Sequence, residues 1–75
     1  MTHPSPDANR RFATDIGRLR LARGWSVAEL ADRSQLGLGE LEAILRGDDE
    51  VPLDAIVLLA RALDVAPGDL VDGTV

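Results

Sequence analysis

The chain has 75 residues, no cysteine, no lysine and one histidine, His3, and its formal net charge is −5. A chain of this length holds one domain with a modest core. It offers neither a disulfide framework nor a thiolate or imidazole cluster for a metal, so no cofactor and no metal site are expected.

Residues 1–7, MTHPSPD, carry two prolines and no periodic apolar residue, and read as a disordered lead. Phe12, Ile16 and Leu19 then recur at i, i+4 and i+7, one face of a helix running to about Arg23. Gly24 supplies its left-handed cap. Ser26 and Glu29 have the spacing of a capping box and open a short second helix through Ala28, Leu30 and Ala31 to about Ser34. Gln35-Leu36-Gly37 is a tight connection. Leu41, Ile44 and Leu45 mark a third helix closed by Gly47. Asp48-Asp49-Glu50-Val51-Pro52 reads as a polar turn, since a calcium loop needs about twelve residues with alternating oxygens. Leu53, Ile56, Val57, Ala60 and Leu63 repeat at helical spacing and form the strongest helix signal in the chain. Pro67 stands at the first position of a last short helix ending in Leu70. Residues 8–72 are expected to form the domain, with 73–75 as a tail. No β pattern, repeat or low-complexity tract interrupts this. The expectation is an all-α fold, a compact bundle of five short helices.

No apolar run approaches the ~18 residues of a membrane span. Residues 1–15 lack the apolar stretch of a signal peptide, so the cytoplasm is the expected compartment. No Ser/His or Cys/His set is present, and so small a bundle offers little room for a catalytic pocket, so the chain is not expected to be an enzyme. Gly37 and Gly39 follow no strand and lack the rest of a dinucleotide fingerprint.

An acidic chain is repelled by phosphate backbones, yet the charge is unevenly distributed. Through Arg33 there are six arginines and four acids, a balance of +2. From Ser34 onward there are two arginines and nine acids, a balance of −7. The arginines of the first helix are either an electrostatic footprint or a solvated face.

The second and third helices with their three-residue, glycine-containing link have the spacing of a helix-turn-helix, whose second member can enter a DNA major groove. Residues 16–70 resemble the lambda-repressor/Cro-type helix-turn-helix, or Xre, family. The resemblance is carried by L-R-x-x-R-G-W-S (19–26), E-L-A (29–31), I-L-R-G (44–47), L-x-x-I-V-x-L-A-R-A-L-x-V (53–65) and D-L (69–70). It implies a lambda-repressor-like fold and a transcriptional regulator that binds double-stranded DNA, as a homodimer on a two-fold site. The third helix would enter the groove with Leu38, Gly39, Glu40, Glu42 and Ala43. Arg33, Arg46, the more N-terminal Arg10 and Arg11, and the amides at Ser26 would meet phosphates. Leu58, Leu70, Val71 and Val75 are the candidate dimer contacts.

Three departures favour an alternative. Val27 stands where the family usually has glutamine. The third-helix face lacks Arg, Lys, Asn and Gln on the groove side, the side chains suited to guanine and adenine. Arg20 loses its usual glutamate partner, since Leu45 occupies that position, and must turn to Glu42, to Asp48 or to solvent. Leu21, Val27, Leu38 and Leu58 are apolar where the pattern is polar. Val27 and Leu38 could form one patch rimmed by Glu40 and Glu42. Such a face suits a protein partner, as in an antirepressor, an adaptor or a DNA mimic. Trp25 is expected to be a core residue covering the join of the first two helices.

Overall fold

In the computed structural model, residues 6–47 and 50–74 are described. They form five helices: α1 (Pro6–Ala22), α2 (Val27–Ser34), α3 (Leu38–Arg46), α4 (Leu53–Leu63) and α5 (Pro67–Asp72). No strand occurs among the described residues. The all-α, five-helix expectation therefore holds. The first helix begins at Pro6, inside the segment expected as a lead. The rest of that segment, residues 1–5, and Asp48, Asp49 and Val75 lie outside the described residues.

Local chemistry explains the helix ends. Gly24 and Gly47 take φ of +71° and +72°, which a Cβ would oppose. Ser26 caps α2, and Pro67 opens α5 with its preset φ. After α5, Gly73 adopts φ +72° and the Thr74 N–H donates to Asp69 O at 3.0 Å, so residues 73 and 74 close the helix.

The core draws on every helix. Ile16, Leu30, Leu41, Leu59, Leu63 and Leu70 are fully buried. Helix α3 packs between α1 and α2, while α4 packs on α2 and α5. Leu36, in the turn between α2 and α3, is also buried and pins the two helices at their join. Burial of a leucine contributes about 1.5–3 kcal/mol, so these side chains dominate the stability of so small a domain.

Two expectations are corrected here. The repeat in α4 has the right period, but the buried face is Ala55, Leu59, Ala60 and Leu63, with Ile56 partly buried. Leu53 and Val57 are 74% and 36% exposed. Helix α4 is apolar almost all round, so periodicity fixes the spacing and leaves the phase open. Leu70 is fully buried, which removes it from the candidate dimer contacts. Of the others, Leu58 is partly buried against the core and Val71 is exposed.

Candidate functional site

Helices α2 and α3 and their turn build the outward surface. The Ser26 side chain accepts from the Glu29 N–H at 3.0 Å, and the Glu29 carboxylate accepts from the Ser26 N–H at 3.2 Å. This is the reciprocal capping box expected from the sequence. Gln35 turns the chain at φ +61°, and the Leu36 N–H reaches back to Ala31 O at 3.0 Å. Gly37 precedes α3, and its N–H donates to Glu40 Oε1 at 3.3 Å. The first turns of α2 and α3 therefore each carry a carboxylate bonded to the amide before the helix. Both carboxylates favour the helix dipole and oppose a phosphate at the same place.

Leu41 and Ile44 hold the inner side of α3 in the core. Leu38, Gly39, Glu40, Glu42 and Arg46 are exposed and Ala43 is half-buried. At about 100° per residue, Leu38 and Glu40 lie on opposite flanks of this outward surface. Leu38 is 47% exposed, whereas Val27 is half-buried and packed on the core. The apolar patch expected from Val27 and Leu38 is thus contributed mainly by Leu38, and Glu40 does not rim it. Glu40 instead lines a cleft with Ala43 and Ile44 of α3 and Glu50 and Pro52 of the following loop. Glu50 and Pro52 were legible only as parts of a polar turn.

The arginines divide: Arg18 makes the i,i+3 acid pair of a solvated face, whereas Arg11, Arg20 and Arg23 take main-chain partners that neither sequence reading anticipates. Arg11 Nη2 donates to Val71 O at 2.8 Å, near the end of α5. Arg20 Nη1 donates to Trp25 O at 2.7 Å. Arg23 donates to Leu19 O at 3.1 Å and also to Leu63 O, the last residue of α4. Arg18 pairs with Asp15 at 3.7 Å. Cations near helix C-termini satisfy exposed carbonyls and complement the dipole. Arg20 thus finds a main-chain partner in place of Glu42; its Nε and Asp15 Oδ2 are buried without a hydrogen-bond partner. Asp48, its other expected partner, lies outside the described residues.

All four arginines expected at phosphates, Arg10, Arg11, Arg33 and Arg46, are exposed, and of these Arg11 is held by a carbonyl, Val71 O. A Cβ on Gly47 would stand 3.2 Å from the Arg10 Cα, so α1 closely abuts the C-terminal end of α3. Arg10 and Arg46 both belong to that end, while Glu40 and Glu42 belong to the first half of α3. Arg33 stacks on Trp25, 4.4 Å from its ring centroid, and Arg23 lies 5.8 Å from it. Trp25 itself is half-buried against the core, as expected of a residue covering the join of α1 and α2. No group of three potential metal ligands occurs among the described residues, and none of the described helices is long and apolar enough to cross a membrane.

A sequence model of the family described as "helix-turn-helix domain" matches residues 11–72. Neither a curated protein nor a solved structure matches the chain.

Proposed function

The chain belongs to the helix-turn-helix domain family, and from that membership we propose that it is a small Xre-type transcriptional regulator of double-stranded DNA. The observation that carries the reading is the outward surface of α3, held by Leu41 and Ile44 from behind and by Leu36 at the turn. A helix is about 10–12 Å across with its side chains, which fits a major groove about 12 Å wide, and nine residues give α3 about 13 Å of length to lie in it. Arg10, Arg33 and Arg46 are the cations this reading assigns to phosphates, and a homodimer would present two such surfaces to a two-fold site.

The test is binding to genomic fragments followed through a salt series. The log–log slope should be about −0.9 per phosphate contact, hence near −5 for a homodimer with three such arginines in each protomer. Absence of binding to any fragment at ~50 mM salt would refute the reading.

A second reading is favoured by the carboxylates of Glu29, Glu40 and Glu42 on the helix-turn-helix. In it, the domain keeps the fold and uses the third-helix surface for a protein, as an antirepressor, adaptor or DNA mimic. A pull-down with Leu38→Asp discriminates: this variant should lose the complex with unchanged helix content. An intact complex would exclude Leu38 from the contact.

A further inference from the structure

The cleft beside α3 has a composition that specifies an occupant. Among the described residues it is lined by two glutamates, Glu40 and Glu50, and by the apolar Ala43, Ile44 and Pro52. No arginine is among its described lining residues. Three of the chain's arginines donate instead to main-chain carbonyls elsewhere: Arg11, Arg20 and Arg23. Glu40 and Glu50 make no ion pair among the described residues. At about 210 Å³, the cleft has the scale of one long side chain.

We propose that this cleft receives an arginine side chain from a protein partner. The aliphatic stem would lie on Ala43 and Pro52, and the guanidinium would donate to the carboxylates of Glu40 and Glu50. Arginine suits both parts. Its stem buries readily on apolar surface while the head stays polar, and its planar fork pairs bidentately with a carboxylate. Lysine would place a compact, strongly hydrated charge there, with fewer donors to divide between two carboxylates. Leu53 follows Pro52 directly and is the most exposed large apolar side chain in the domain. It offers an apolar contact to residues flanking the arginine. The partner is therefore a basic segment with an arginine beside apolar residues. The inference rests on the second reading above, contact of the third-helix surface with a protein.

The test titrates the full chain with an acetylated decapeptide of alternating leucine and arginine. Amide shifts in a two-dimensional NMR spectrum should concentrate at Glu40, Ala43, Ile44, Glu50 and Val51. The double variant Glu40→Gln, Glu50→Gln should bind about tenfold more weakly, the scale of losing one charge-assisted contact. Glutamine at position 40 keeps an acceptor for the Gly37 N–H, so α3 should stay capped. The double variant Asp64→Asn, Asp72→Asn removes the same charge elsewhere and should bind within about twofold of the parent. Equal losses in the two double variants, or equal affinity for the lysine version of the peptide, would overturn the proposal. DNA binding is measured separately by fluorescence anisotropy. Peptide binding without DNA binding would leave this proposal standing and remove the regulator reading. DNA binding with no peptide binding at millimolar concentration would do the opposite.

Discussion

In α1 and the loop after it, Arg11, Arg20 and Arg23 end on main-chain carbonyls of the same chain. In α3 and the loop after it, Glu42 and Glu50 are exposed and form no ion pair among the described residues. The two regions differ in what their charges hold. The first stitches the ends of α1, α4 and α5 together, and Arg20 fixes the loop before α2. The second leaves its carboxylates at the surface a partner would meet. Total charge therefore misleads in two ways. The arginine-rich half commits three of its six guanidiniums to main-chain carbonyls while Arg10 and Arg33 stay exposed, and the acidic half is not a uniform coat.

The comparison breaks most readily at Arg23. Arg23→Ala removes donors to Leu19 O and Leu63 O and a contact with the Trp25 ring. It should lower stability by about 2 kcal/mol, the scale for hydrogen bonds from a charged donor. A denaturant melt within ~0.5 kcal/mol of the parent would show that these contacts do not hold the helix ends together.

Gly47→Ala probes where the two regions touch. Alanine there meets a left-handed backbone and the Arg10 Cα at 3.2 Å. A loss of about 1–2 kcal/mol is expected from the backbone alone. A loss well above ~2 kcal/mol would mean that α1 does not yield at this contact, and a neutral melt would refute the left-handed cap.

Arg20→Met should be milder. It removes the bond to Trp25 O but also a buried Nε without a partner. The expected loss is about 1 kcal/mol or less. A loss of ~2 kcal/mol or more would reveal a charged partner for this guanidinium.

The smallest effect belongs to the acidic side. Glu42→Gln should change stability by less than ~0.5 kcal/mol, as for most exposed positions. If it matched Arg23→Ala, the distinction between structural arginines and surface carboxylates would fail.

Much of the fold is legible residue by residue. Ser26 with Glu29, Gly24, Gly47 and Pro67 act through their nearest neighbours, so their spacing identifies the helix ends. Less of the site is legible. Leu38 and Glu40 are two residues apart, and only the helix separates them onto opposite flanks. Glu50 and Pro52 line a cleft with Ala43, a proximity that no spacing rule encodes. The patch anticipated from Val27 and Leu38 is reduced because Val27 packs on the core.

Five helices, the ends marked by Gly24, Ser26, Gly47 and Pro67, and the helix-turn-helix spacing follow from sequence alone, because each depends on contacts within about four residues; the left-handed caps at Gln35 and Asp64 do not. Tertiary structure decided the phase of α4, the burial of Leu70 and the destinations of Arg11, Arg20 and Arg23. The physical reason is the same for all three. An apolar helix can present several faces to a core, and every residue has a carbonyl that an arginine can reach. Side-chain identity leaves these choices degenerate, and only packing in three dimensions selects among them.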